Sequence, residues 1–148
     1  MKYDAIIVGS GQGGNPLAFR LADLGWPIAL IEEKNLGGTC INVGCTPTKT
    51  MVHRAQVAHY ARNGSRWGVN AANVTVDLAK IVAQKDEVVL SFRGRQQRRV
   101  DERKNLRLYR GHARFVGPHQ LKIGDDLLES EKILSTSAAV RTSLPLPD

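Results

Sequence analysis

Two cysteines stand five positions apart in the segment Gly37-Gly38-Thr39-Cys40-Ile41-Asn42-Val43-Gly44-Cys45-Thr46-Pro47-Thr48-Lys49. Thiols so placed can cycle between dithiol and disulfide, staple a fold, or help to hold a metal ion. On a regular α-helix, residues five apart have Cα atoms about 8–9 Å apart. A disulfide needs about 4.4–6.8 Å. A bonded pair therefore requires a segment tighter than a helix, with the backbone freedom that Gly37, Gly38 and Gly44 supply. Thr46-Pro47 reads as a cap followed by proline at the first helical position. That places Cys45 at a helix N-terminus, where the macrodipole favours an anion. Lys49 lies in the same first turn and is better used stabilising a thiolate or an electron-rich cofactor than the helix. Positive charge beside a thiol is the usual setting of a reactive cysteine. A structural disulfide is the weaker reading, because the chain opens directly on a strand with no secretory signal ahead of it. Zinc would have to recruit His53 and His59, whose spacing fits no common ligand pattern, so no metal site is expected.

A second motif precedes the first. Tyr3 to Val8 is a near-continuous apolar run, as in a strand buried on both faces of a parallel sheet. Gly9-Ser10-Gly11-Gln12-Gly13-Gly14 follows at once. Asn15 to Leu24 then reads as a helix with Leu17, Leu21 and Leu24 on one side, stopped by Gly25. Pro27 to Ile31 is a second buried strand, and Glu32 ends it, 18 residues after Gly14. This context makes the glycine pattern a dinucleotide-binding fingerprint. Gly9 allows the tight turn, Gly11 lets backbone approach a pyrophosphate, and Gly14 permits close helix–strand packing. The helix N-terminus, with Gly13 in its approach, faces the pyrophosphate. Glu32 can accept hydrogen bonds from a ribose, while Glu33 reads as a solvated charge. The unit alone does not choose between NAD and FAD. The cysteines do, because a dithiol exchanging electron pairs with nicotinamide normally needs a flavin between them.

Together these residues resemble the class I pyridine nucleotide–disulfide oxidoreductases, the family of dihydrolipoamide dehydrogenase, glutathione reductase and mercuric reductase. The resemblance runs from Met1 to about Ile133, and the cysteine segment carries most of it. It implies an α/β, Rossmann-like FAD-binding domain with a parallel sheet, helices on its faces and a small β meander near the C-terminus. It further implies that Gly9, Gly11, Gly13 and Gly14 meet the FAD pyrophosphate, Glu32 the adenosine ribose, and Gly38 and Thr39 the phosphate and flavin side. By the same resemblance Cys40 is the interchange thiol that attacks substrate, Cys45 the thiolate against the flavin, and Lys49 a neighbour of the isoalloxazine. Gly111-His112-Ala113 is similar to the family segment touching the adenine, which makes Ala113 a site candidate.

The remaining chain supports these elements. With 148 residues and 42% hydrophobic content, one domain of ordinary size is expected. No apolar run approaches the ~20 residues of a membrane span. Helix is expected from Thr48 to Arg62, closed by Asn63-Gly64, and from Leu78, capped by Asp77, to about Phe92. Leu106 to Val116 reads as one strand. Gln120 to Ile123, Leu127 to Glu129 and Lys132 to Thr136 complete a meander and a return strand. The net charge of +7 is concentrated between Arg93 and Arg114. Aromatic residues are sparse there and Asp101-Glu102 interrupts the run, so a solvated or subunit-contact face is preferred and no nucleic-acid partner is expected. His119 and Trp26 read as surface and packing residues.

The family proteins are longer, with a second glycine-rich unit for NAD(P)H and a C-terminal domain lending a histidine–glutamate base to the partner subunit. None of His53, His59, His112 and His119 sits in that base motif. The return strand reads Ser135-Thr136-Ser137-Ala138, where the family has a threonine–glycine pair. The expected organisation is an FAD-binding portion over residues 1–136 and an extended tail over 137–148. The implied parent is a cytoplasmic, homodimeric NAD(P)H-dependent flavoprotein that reduces a small disulfide or a thiophilic metal ion. The Cys45-Thr46-Pro47-Thr48-Lys49 run leans towards mercuric reductases. Two alternatives stand beside it: a non-catalytic flavin-binding redox sensor, and a plain NAD-binding domain.

Overall fold

The computed structural model describes residues 1–136. β1 (Ala5–Val8) leads through α1 (Gly14–Asp23) to β2 (Ile28–Glu32). A short α2 (Gly38–Asn42), α3 (Cys45–Asn63) and a single 3-10 turn (Gly64–Trp67) follow, and then α4 (Leu78–Asp101). Next come β3 (Leu106–Arg110), β4 (Ala113–Gly117), β5 (Gln120–Ile123), β6 (Asp126–Glu129) and β7 (Ile133–Ser135). The parallel sheet has the order β3-β2-β1-β7, and β4-β5-β6 form a separate antiparallel sheet.

The apolar strands are explained by burial on both faces. Ala5, Ile7, Ile28 and Leu30 point to one side, where Ala18, Phe19 and Ala22 of α1 and Val100 of α4 cover them. Ile6, Ala29 and Ile31 point to the other, against Leu121, Ile123 and Leu128 of the meander. Helices therefore cover one face and the small sheet the other. Strands buried in this way lose the polar alternation of a half-exposed strand.

Three element boundaries differ from expectation. Leu106 to Val116 is two strands, because Gly111, at φ +139°, turns the chain out of the parallel sheet into the antiparallel one. α4 continues nine residues past Phe92 to Asp101, since its Arg and Gln residues are good helix formers and one glycine does not end it. α3 begins at Cys45, with Gly44 as its cap and no side-chain capping bond. Pro47 is thus third in the helix, still within the first turn, where its missing N–H costs nothing. Asp77 caps α4 as expected, its Oδ1 accepting from Lys80 N at 2.9 Å.

The basic run packs within the chain. Arg99 and Arg103 lie over the Phe19 ring at 4.3 and 4.8 Å. The Arg103 guanidinium also pairs with Asp23 and holds that carboxyl below its usual range. Ser137 and Ala138 lie outside the described residues.

Candidate nucleotide and dithiol site

The site begins at the C-terminal end of the parallel strands, where open α/β sheets bind ligands. Gly9 turns the chain at φ +97°, a conformation that side chains other than glycine rarely adopt. Gly14 then seats α1 against the turn. A Cβ there would lie 1.9 Å from the Gly9 carbonyl oxygen and 2.6 Å from Thr136 Oγ1. Thr136 itself donates to that carbonyl at 2.9 Å, tying the return strand to the turn. Gly11 is different, with nothing within 4 Å of its hypothetical Cβ. Its bareness leaves room for something else.

Beside it is a cavity of about 570 Å³ lined by Gly11, Gln12, Glu32, Gly38, Thr39 and Cys40, among others. That volume is within the usual range for small-molecule sites, roughly 300–1,000 Å³. Glu32 Oε2 accepts from Ser10 N at 3.0 Å and Ser10 Oγ at 2.5 Å, and Oε1 accepts from Lys34 N at 2.9 Å. Gly38 crosses directly over Gly11, and a Cβ on it would fall 2.7 Å from the Gly11 Cα. The glycine loop and the cysteine segment are therefore in contact through bare backbone.

The cysteine segment is not one helix. After Asn42 the chain breaks at Val43-Gly44, where both amides return to the Thr39 carbonyl at 3.0 and 2.7 Å. A Cβ on Gly44 would sit 3.0 Å from that oxygen and 3.5 Å from the Cys40 Cα. This fold-back brings the Cys45 sulfur against Cys40, with both thiols free. A hydrogen bond to Cys45 is the main influence raising the Cys40 thiol above its ordinary range. Burial and the Cys45 charge add to it, while a hydrogen bond from the Cys45 backbone and, after it, the Lys49 charge pull the other way. Cys45 opens the 19-residue α3, as its expected place at a helix N-terminus requires.

A second cavity, of about 430 Å³, is lined by Gln12, Cys40, Cys45, Lys49, Phe92 and Gln96, among others. Gln12 and Cys40 border both cavities. The structure thus gathers Gly11, Glu32, Gly38, Thr39 and Cys40 at one cavity, and Cys45 and Lys49 at its neighbour. Gly9, Gly13, Gly14 and Ala113 line neither. Gly9 and Gly14 shape the turn, the hypothetical Cβ of Gly13 has Thr136 as its nearest contact at 3.9 Å, and Ala113 packs against the second core. Sequence reasoning gave no role to Ser10, Gln12, Asn42, Arg93 or Gln96. The first two stood inside the fingerprint as its variable positions. No described group of three or more Cys, His, Asp or Glu side chains could hold a metal ion.

Comparison with known proteins decides the affiliation. Residues 3–146 match the family model of the pyridine nucleotide-disulphide oxidoreductases. The chain belongs to this family. It is 34% identical to a dihydrolipoyl dehydrogenase of Thermus scotoductus over 98% of the chain and 30% of that protein. It is 36% identical to the probable pyridine nucleotide-disulfide oxidoreductase RclA of Escherichia coli, over 99% of the chain and 31% of the relative. A mercuric reductase of Bacillus cereus is 30% identical over 98% of the chain and 23% of its own length. Among solved structures, the Cu(II) complex of the HOCl-induced flavoprotein disulfide reductase RclA superposes with a TM-score of 0.82 at 34% identity, covering 99% of this chain and 31% of that one. The chain therefore spans about a third or less of these relatives, and shares the α/β fold of flavoprotein disulfide reductases. Among the described residues, no helix is long and apolar enough to cross a membrane.

Proposed function

We propose that the chain is the FAD-binding, disulfide-carrying part of an NAD(P)H-dependent flavoprotein reductase. The observation carrying this reading is the shared border of the two cavities: Gly11 and Glu32 meet Cys40 in one, and Cys40 meets Cys45 and Lys49 in the next. The bare Gly11, the crossing at Gly38 and the acceptor oxygens of Glu32 fit the ADP half of a dinucleotide. Gly9 and Gly14 hold the turn, Gly13 leads into α1, whose N-terminus favours the pyrophosphate, and Thr39 lies beside the phosphates. Ala113, just beyond the Gly111 turn, is the candidate for the adenine edge. FAD, when bound, supplies electron pairs from NAD(P)H, which a further domain would bind.

The protein groups perform the exchange. Reduction of a Cys40–Cys45 disulfide breaks the S–S bond and leaves two thiols with an added electron pair. The Cys40 sulfur, once deprotonated, attacks a substrate disulfide, forming a mixed disulfide and expelling one substrate thiolate. Cys45 then attacks Cys40, reforming the protein disulfide and releasing the second substrate thiol. Lys49 favours the anionic sulfur at each stage. The base that removes the Cys40 proton would come from the partner subunit in a homodimer of the full-length protein. The substrate is a small disulfide or a thiophilic metal ion, and the similarity to mercuric reductase and to a copper-bound RclA supports the second. The redox-sensor and NAD-binding readings draw no support from these relatives. A cytoplasmic setting and a linker role for residues 137–148 belong to the same proposal.

Anaerobic reductive titration of the FAD-loaded chain tests it. The wild type should take up two electron pairs, one in the flavin and one in the disulfide, and Cys45→Ser only one. Equal uptake by both proteins would remove the disulfide from the electron path.

A further inference from the structure

Ser10 is the middle residue of the Gly9-Ser10-Gly11 turn, and it is completely buried. Its hydroxyl donates its one proton to Glu32 Oε2 at 2.5 Å and accepts from Gly37 N at 3.1 Å. Its backbone N–H donates to the same Glu32 oxygen, and its carbonyl accepts from Gly37 N as well. One side chain therefore joins the glycine loop, the end of β2 and the start of the segment carrying Cys40. The joint is rigid on its third side. Gly37 stands at φ +97°, and a Cβ there would lie 2.4 Å from Cδ1 of the buried Ile41.

We propose that Ser10 is the positioning residue that sets the Glu32 carboxylate for a ribose hydroxyl and couples occupancy of that cavity to the placement of Cys40. An ionised carboxylate only accepts hydrogen bonds, and the chain's three donors approach it from Ser10 and Lys34. Oε2 already accepts from both Ser10 N and Ser10 Oγ, whereas Oε1 accepts from Lys34 N alone, so a lone pair on Oε1 is left for a ribose hydroxyl to donate to. The ligand class is a nucleoside diphosphate with a free 2′-hydroxyl. A 2′-phosphate would set negative charge against Glu32. Removing the Ser10 hydroxyl leaves the carboxylate held by two backbone amides, Ser10 N and Lys34 N, and leaves Gly37 N–H with the Ser10 carbonyl alone. The same loss thus reaches both the ribose contact and the Gly37-Gly38 turn that leads to Cys40. This inference rests on the reading that the larger cavity takes the ADP half of a dinucleotide.

The test uses ADP and 2′-deoxy-ADP as probes, with Ser10→Ala and Ser10→Gly compared to wild type by calorimetry. Wild type should bind ADP more tightly than 2′-deoxy-ADP. Both variants should bind ADP roughly 10-fold more weakly, as expected when a hydrogen bond to a charged group is lost. They should bind 2′-deoxy-ADP almost as wild type does, so that the ratio collapses towards one. A merely structural role would weaken both ligands together. The second readout is iodoacetamide labelling of Cys40 in a Cys45→Ser background. Saturating ADP should change its rate when Ser10 is present and leave it unchanged in Ser10→Ala. Variants that keep the wild-type ADP to 2′-deoxy-ADP ratio, or keep the ADP effect on Cys40, would overturn the role of Ser10. Failure of wild type itself to bind ADP would overturn the underlying nucleotide reading.

Discussion

Arg93 and Asn42 form a two-point clasp: Nε and Nη2 of the arginine both donate to Asn42 Oδ1, at 3.0 and 2.8 Å. The other side of the same amide donates to the carbonyls of Asn35, Leu36 and Gly38. One asparagine therefore gathers the loop ahead of Cys40, and α4 holds it in place. The clasp binds the dithiol segment to the frame of the fold.

Substituting Arg93 by Met should loosen that segment without unfolding the sheet. We expect a loss of about 1–2 kcal/mol in denaturant unfolding and faster alkylation of Cys40. Unchanged Cys40 reactivity would place the clasp outside the cysteine geometry.

Gly11 and Gly14 should separate ligand space from packing space. Gly11→Ala introduces a methyl into an open region at a backbone angle that is not left-handed. It should keep its thermal midpoint and lose FAD or ADP binding. Gly14→Ala drives a methyl to 1.9 Å from the Gly9 carbonyl oxygen and should cost about 1–3 kcal/mol or more in stability. Thermal scans with and without ADP read both effects.

The Cys40 proton has a defined pH response. Its pKa is raised, first by the hydrogen bond to Cys45, so thiolate appears only at higher pH than in an ordinary cysteine. Cys45→Ala removes that influence and should move the midpoint of Cys40 alkylation against pH downward. Lys49→Met removes one of the two opposing influences and should move it upward. Mass-resolved alkylation rates across pH check both signs.

Asp77 caps a 24-residue helix. Asp77→Ala should cost about 1 kcal/mol and leave nucleotide binding untouched, because Asp77 lines neither of these cavities. Denaturant unfolding beside an ADP titration separates the two effects.

What the sequence disclosed was the local chemistry. Glycines at turns, Asp77 as a cap and apolar runs for doubly buried strands each act within a few residues, so their meaning survives without coordinates. The placement of Cys45 at a helix start was legible for the same reason, although Pro47 suggested a slightly later boundary. What was hidden depends on residues distant in the chain. Arg93 looked like part of a charged exposed run because its partner, Asn42, is 51 residues away. Arg99 and Arg103 read as solvated because Phe19 is far back in the chain, on α1. Ser10 occupied a variable position of a known motif, and only folding shows that its hydroxyl meets Glu32 and Gly37. The division of Leu106 to Val116 was obscured because both strands share a polar, β-prone composition, and Gly111 alone marks the turn.

The most direct test of the central claim, that a nucleotide cavity adjoins the Cys40–Cys45 pair, is the visible absorption spectrum of the chain titrated with FAD and then with a dithiol reductant. FAD should be taken up, and reduction should bring a new long-wavelength band that Cys45→Ser abolishes while still binding flavin. A chain that takes up no FAD, or a band that persists without Cys45, would contradict it.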